Sequence, residues 1–321
     1  MRKTRIVAAL AALATAAVAA PAASAACTPK NNLEAIIDDS GSMSWNDPTH
    51  LRIRATELLI DTQGNEKRTL GAVEFGATAN PLFGPGPIGP NAAAFKAAAN
   101  AALTDDGGGT DYDKAFAAAA SHNPAATARI FLTDGEHNGS DAYANGHAGG
   151  PPVYVIGLGT GGAGSPFDTL LGRIATESGG LYRRADDASA MQAAMFDVNS
   201  AIACQTPPKR FSDDFTKVGQ AEAHTVTVPS RIATAQFALS WTSSADAFTI
   251  GSFRVVRRGK TVARAAKVRK LRVSRRRGST FTTVRVSGLV AGKLRFSVRA
   301  TRLASPGTDV SLTTQVTRRA R

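Results

Sequence analysis

Three short segments of the chain place oxygen donors at the ends of apolar runs or ahead of helices. Asp38, Ser40 and Ser42 alternate within Ile36-Ile37-Asp38-Asp39-Ser40-Gly41-Ser42-Met43, where an apolar run gives way to a turn. Thr110 follows Gly107-Gly108-Gly109 ahead of a helical pattern, and Asp134 sits in Phe131-Leu132-Thr133-Asp134-Gly135 at the end of another apolar run. The glycines let backbone approach closely. Hydroxyl and carboxylate oxygens are what hard cations take, Mg²⁺ in an octahedral shell at about 2.0–2.1 Å that keeps some water. The chemistry this pattern points to is divalent-cation binding by Asp38, Ser40, Ser42, Thr110 and Asp134. Ser, Thr and Asp also cap helices, and an ion can do no more than stabilise loops. Residue types alone leave both of those readings open.

These residues need rigid elements to bring them together. Apolar runs at Leu33–Ile37, Leu70–Phe75, Arg129–Leu132 and Val153–Leu158 read as strands of a parallel sheet buried on both faces. Helical faces lie between them: Leu51, Ala55, Leu58 and Leu59; then Phe95, Ala98, Ala99 and Ala102; later Phe167–Ser178 and Ala188–Ala203. The alternation predicts an α/β fold, a doubly wound sheet with helices on both sides. In such sheets ligands bind beyond the carboxyl ends of the strands.

The three donor segments, in this order, resemble the von Willebrand factor type A (vWA) domain over roughly Asn31 to Ala203. That family joins a D-x-S-x-S motif to a distant threonine and a distant aspartate in a metal-ion-dependent adhesion site. The resemblance implies a mostly parallel, Rossmann-like sheet. It implies Mg²⁺, or another divalent cation such as Mn²⁺ or Ca²⁺, held directly or nearly so by Ser40, Ser42 and Thr110. Asp38 and Asp134 would hold it through water or exchange with direct contact. Neutral hydroxyl ligands leave the cation most of its charge, so it attracts an Asp or Glu carboxylate from a protein partner. Asp39 departs from the family's usual neutral residue; if strand alternation persists, its side chain points away from the site. Trp45 and Asn46 fall on the loop after the motif, Trp45 as either a binding hot spot or a packing residue. Glu136 and His137 fall on the rim, His137 in a solvated loop.

No catalytic constellation stands out, so no enzyme activity is expected. Gly157-Leu158-Gly159-Thr160-Gly161-Gly162 satisfies G-x-G-x-x-G but follows a late strand, and Pro166 interrupts the approach to the next helix; it reads as a loop. There is no phosphate loop and no G-x-S-x-G elbow. His50, His122, His137, His147 and His224 show no zinc spacing. A metal-dependent hydrolase remains as an alternative, with Asp39 or Glu136 as the nearby bases; a structural envelope protein with a vestigial metal site is another.

The net charge of +13 conceals a division. Residues 27–206 carry 11 basic and 20 acidic side chains, and residues 207–321 carry 24 and 5. The switch falls at Thr206-Pro207-Pro208-Lys209, a proline-marked linker. Beyond it, alternations such as Leu294-Arg295-Phe296-Ser297-Val298-Arg299 and turns at Gly259, Gly278, Gly292 and Gly307 predict a small all-β sandwich. It is faintly similar to sandwich modules appended to secreted bacterial peptidases. Arg257, Arg258, Lys260, Lys267, Arg269, Lys270, Arg272, Arg275, Arg276 and Arg277 crowd one segment. They suit an anionic envelope polymer or lipid surface, or docking on the acidic first unit. Export argues against nucleic acid as a natural partner.

Residues 1–25 read as a signal peptide. Arg2, Lys3 and Arg5 precede the small apolar run Ile6 to Ala20, Pro21 breaks it, and Ala23-Ser24-Ala25 forms a cleavage site. No later run of 18 apolar residues predicts a membrane span. The two cysteines, Cys27 and Cys204, bracket the first unit, and an oxidising compartment favours a disulfide between them. Closing a loop of that length is worth about 5 kcal/mol at most in the chain-entropy model. Lipidation of Cys27 is the other reading, although Ser24-Ala25-Ala26 lacks the usual large aliphatic residue. The whole predicts a secreted bacterial vWA-domain protein that binds a protein ligand through a divalent metal.

Overall fold

The computed structural model describes residues 27–62, 67–104, 107–138, 150–229, 232–264, 271–278 and 280–318. The signal-peptide reading, and Lys267, Arg269 and Lys270 of the basic segment, fall outside them.

The first unit is one six-stranded sheet with helices on both faces. Its strands are β1 (Asn32–Asp38), β2 (Thr69–Phe75), β3 (Ala79–Pro87), β4 (Ala128–Thr133), β5 (Val153–Leu158) and β6 (Leu181–Ala185). Their order is β3-β2-β1-β4-β5-β6, all parallel except β3, which runs antiparallel on the edge. The mostly parallel doubly wound sheet is therefore present. β3 and β6 are additions to the sequence reading. β3 carries prolines at 81, 85 and 87, which an edge strand tolerates because one side needs no ladder bonds.

Strand alternation sorts β1 between two cores. Leu33, Ala35 and Ile37 pack with α2 (Leu51–Thr62), α3 (Ile88–Ala102) and α6 (Ala188–Ile202). Ile36 packs on the opposite face with α4 (Tyr112–His122) and α5 (Pro166–Glu177). A single-turn helix, α1 (Met43–Asn46), follows β1 directly.

The second unit is a sandwich of two antiparallel sheets, as the alternation predicts. One holds β8 (Ala221–Val228), β10 (Ala247–Arg257), β11 (Lys260–Arg264) and β14 (Gly292–Arg302). The other holds β7 (Lys209–Phe215), β9 (Ile232–Trp241), β12 (Arg272–Arg277), β13 (Phe281–Ser287) and β15 (Thr308–Arg318). Phe215, Phe237, Phe253, Leu294 and Phe296 fill the space between them.

The outer face of the second sheet rests on the first unit. Ala238 joins the first unit's core, and Gln315 Nε2 donates to Ser200 Oγ at 2.7 Å. Arg210 pairs with Asp197 at 2.7 Å, and Arg276 pairs with Asp61. Part of the basic charge is thus spent on the acidic first unit, one of the uses the sequence allowed beside an anionic partner and a solvated surface.

Cys27 and Cys204 form a disulfide, with Cα atoms 5.7 Å apart. The Cys27 sulfur is then not available to a lipid. Among the described residues no helix is long and apolar enough to cross a membrane. Removing the bridge with Cys27→Ser and Cys204→Ser together should lower unfolding stability by about 2–5 kcal/mol. Urea denaturation of the two proteins under non-reducing conditions measures it.

Candidate metal centre

The parallel strands β1 and β4 end side by side, so their carboxyl-end loops share one concavity. The first loop carries Asp38, Ser40 and Ser42, the second Asp134. The Gly107–Thr110 segment closes it from the side, where Gly41 N donates to Gly108 O at 3.3 Å. A Cβ on Gly41 would lie 3.2 Å from that oxygen, so the contact suits a residue without a side chain. All five candidate residues are buried: Asp38, Ser40 and Asp134 completely, Ser42 and Thr110 nearly so.

The hydroxyls are not spent on capping. Ser42 occupies the cap position of α1 but makes no side-chain cap bond; its Oγ lies 3.2 Å from Ser40 Oγ. The cap of α4 is Asp111, which accepts from Lys114 N at 3.0 Å, so Thr110 is free of that duty too. Thr110 is instead clamped by its backbone. Its N donates to Asn138 Oδ1 at 2.7 Å, and its O accepts from Asn138 N at 2.9 Å.

Second-layer contacts fix both carboxylates. Asp38 Oδ1 accepts from Ser40 N at 3.0 Å, and Oδ2 accepts the Thr133 hydroxyl at 2.5 Å. Thr133 Oγ1 also lies 3.0 Å from Tyr112 OH and accepts from Gly135 N at 3.1 Å. Asp134 Oδ1 accepts from Glu136 N at 3.0 Å, and Oδ2 accepts from Asn46 Nδ2 at 3.1 Å. The same Asn46 amide reaches Glu136 Oε1 at 3.0 Å. Asn46 is itself located by Gly159, whose backbone is left-handed and where any Cβ would come within 2.5 Å of Asn46 O. The G-x-G-x-x-G run thus closes β5 with Gly157 and Leu158 and continues from Gly159 as a loop that packs against the site.

Sequence reasoning missed Thr133, Tyr112 and Asn138, none of which belongs to a recognisable motif. His137 differs from expectation. It is half-buried and stacked on Tyr112, with ring centroids 5.0 Å apart, because the residues just after Asp134 fold back over α4. Trp45 is exposed, at 64% of its surface, which favours the contact reading over the packing one.

Electrostatically the concavity is short of positive charge. Burial, then the facing Asp134 charge, pushes Asp38 up to about 7, and the bonds from Ser40 and Thr133 only partly offset this. Burial also raises Asp134, against hydrogen bonding from Ser42 and Asn46. No ion pair among the described residues supplies a cation to either. Asp39 contributes nothing here. It points to the opposite face, as alternation predicts, where fully buried Arg52 meets its Oδ1 at 2.9 and 3.2 Å. Arg52 Nη1 also reaches Asp47 Oδ2 at 3.1 Å.

The donor set fits a hard divalent cation: two carboxylates and three hydroxyls, all oxygen. Among the described residues no group of three or more His, Cys, Asp or Glu that could hold a metal ion occurs, so any site here depends on the hydroxyls as well as the two carboxylates.

No protein-family model matches the chain, and no curated protein matches it. Among solved structures it is similar to an aerotolerance-related membrane protein from Bacteroides fragilis, at 20% identity over 53% of this chain and 97% of that one, with a TM-score of 0.43. It is similar to a von Willebrand factor type A protein from Catenulispora acidiphila, at 18% identity over 89% of this chain and 64% of that one, with a TM-score of 0.44. Proximal thread matrix protein 1 from the mussel byssus, in a structure with a zinc-occupied MIDAS motif, shares 17% identity over 60% of this chain and 52% of that one, with a TM-score of 0.43. This chain therefore spans less than two thirds of the second of these and about half of the third. Similarity this distant carries no functional weight, and the geometry of the site has to.

Two outcomes follow from these contacts. Arg52→Met leaves Asp39 and Asp47 buried without their cation and should cost about 3–5 kcal/mol, measured by urea unfolding. In EDTA, stability should fall as pH rises from about 4 toward 7. Asp38 has a folded pKa above its unfolded one, so the folded state loses its bound proton last and is penalised across that window. Thermal melts from pH 4 to 8, with and without Mg²⁺, read this; the cation should flatten the decline.

Proposed function

We propose that this chain is an exported vWA-type binding protein that grips an acidic group of a protein ligand through a divalent cation. One observation carries the reading. Asp38 and Asp134 are completely buried beside one another, among hydroxyls not used for capping, and no cationic side chain among the described residues pairs with them. A buried pair of like charges is costly unless a counter-ion joins it.

Ser40, Ser42 and Thr110 are the direct donors in this proposal, and Asp38 and Asp134 hold the ion through water or exchange with direct contact. Mg²⁺ is the proposed ion, with Mn²⁺ or Ca²⁺ as substitutes. When bound, it supplies an electrophilic point for a ligand's Asp or Glu carboxylate. The protein's own residues do the rest. Asn46 and Glu136 N orient Asp134, Thr133 orients Asp38, and the Asn138 clamp sets the height of Thr110. Exposed Trp45 stands on α1, directly after Ser42, where a partner's surface would land; tryptophan is enriched among binding hot spots. The basic surface of the second unit would keep the protein near anionic envelope polymers or lipid.

The hydrolase alternative loses one of its two bases, because Asp39 faces away and is neutralised by Arg52. Glu136 is the base that remains, and its Oε1 already accepts from Asn46.

Isothermal titration of the full mature chain with MgCl₂ or MnCl₂ tests the proposal. One saturable site is expected, weakened at least tenfold by Ser40→Ala or Asp134→Ala. Retention of protein ligands from an envelope extract should vanish in EDTA. Metal binding untouched by both substitutions, or ligand retention untouched by EDTA, would show the reading to be wrong.

A further inference from the structure

The sandwich has an open end, where the last residues of β9 and β12 and the first of β13 face the start of β10 and the end of β14. A recess of about 370 Å³ lies there, lined among others by Trp241, Phe248, Thr282, Arg277, Arg302 and Asp246. Its volume falls in the range of small-molecule sites. Strand pairing explains how these residues meet. Thr282 and Arg277 are cross-strand partners, Trp241 N donates to Thr280 O at 3.0 Å, and Ala247 pairs with Arg302.

The recess is rich in donors and short of acceptors. Trp241 and Thr282 are 6% and 1% exposed, and neither the indole Nε1 nor the Thr282 hydroxyl has a hydrogen-bond partner. An indole N–H can only donate, and a buried donor without an acceptor calls for an explanation. Arg277 adds a guanidinium that enters no ion pair among the described residues. Arg302 donates to Ala245 O at 2.6 Å and to Ser244 O at 3.1 Å, which fixes its charge at the rim. Asp246 is the one carboxylate among the described lining residues, and both its oxygens are occupied, by Ala304 N at 2.6 Å and by the Thr308 hydroxyl at 3.0 Å.

We infer that this recess is an oxyanion-binding site. The ligand is a carboxylate or phosphate group, on a small molecule or at the end of a polymer, that accepts from Trp241 Nε1, Thr282 Oγ1 and the Arg277 guanidinium. The site is separate from the metal centre. It is also more specific than the general affinity of a basic surface for anions, because it depends on two uncharged donors.

Trp45→Phe in the full chain leaves Trp241 as the single tryptophan. Its fluorescence is titrated with sodium phosphate and separately with sodium acetate, at constant ionic strength. A saturable emission change is expected, and the titrant with the lower half-saturation identifies the preferred group. Thr282→Val and Arg277→Gln should each raise half-saturation at least tenfold, while Arg257→Gln with Arg258→Gln, outside the recess, changes it less than twofold. Thr282→Val keeps the side-chain shape and removes only the hydroxyl, and a thermal melt confirms that it folds. EDTA should leave the titration unchanged, so this inference can fail while the metal reading stands, and the reverse. No saturation with either titrant, or an unchanged half-saturation in folded Thr282→Val, overturns the inference. An equal loss on removing Arg257 and Arg258 also overturns it, in favour of diffuse electrostatics.

Discussion

Repulsion between two buried carboxylates governs the first unit. Parallel strands β1 and β4 end at adjacent points, and each delivers a buried aspartate into the same concavity. The surrounding residues hold that arrangement in place and do not relieve it. Thr133, Ser40 N, Asn46 and Glu136 N each supply a hydrogen bond to one carboxylate, but none brings a charge. The buried guanidinium of Arg52 is committed on the other face to Asp39 and Asp47. The result is a concavity with two carboxylates, neutral hydroxyls and the exposed Trp45 at its edge, an arrangement that the proposed cation would complete.

Much of this was legible in the sequence, for physical reasons. Asp38 and Asp134 close apolar runs, and in a parallel sheet such positions converge. Alternation alone separated Asp38 from Asp39 and sent the latter to the opposite face. The interdigitated pattern around Leu294, Phe296 and Val298 gave the sandwich its inner face. What stayed hidden depends on contacts between distant segments. Nothing near Asn138 announces that it clamps Thr110, and nothing near Asn46 that it bridges Asp134 and Glu136. His137 has the polarity of a loop residue, yet ring stacking on Tyr112 draws it inward. β3 was obscured by its prolines, which only the edge of a sheet accommodates.

The two units are joined by polar chemistry more than by a shared apolar core. Among the described residues Ala238 is the one sandwich residue in the first unit's core, and around it the contact runs through Gln315–Ser200, Arg210–Asp197 and Arg276–Asp61. Ion pairs at partly exposed positions are weak individually and weaken further with salt. The opposite net charges of the two halves therefore favour the docked arrangement without locking it.

The Cys27–Cys204 bridge has a mechanical consequence. It joins the residues just before β1 to the end of α6, so both chain ends of the first unit emerge at one corner. The entry to the central strand and the exit of the last helix therefore cannot separate while the bridge is intact. The staple sits at the amino end of β1, opposite the carboxyl end that carries Asp38, so it restrains the sheet without occupying the concavity.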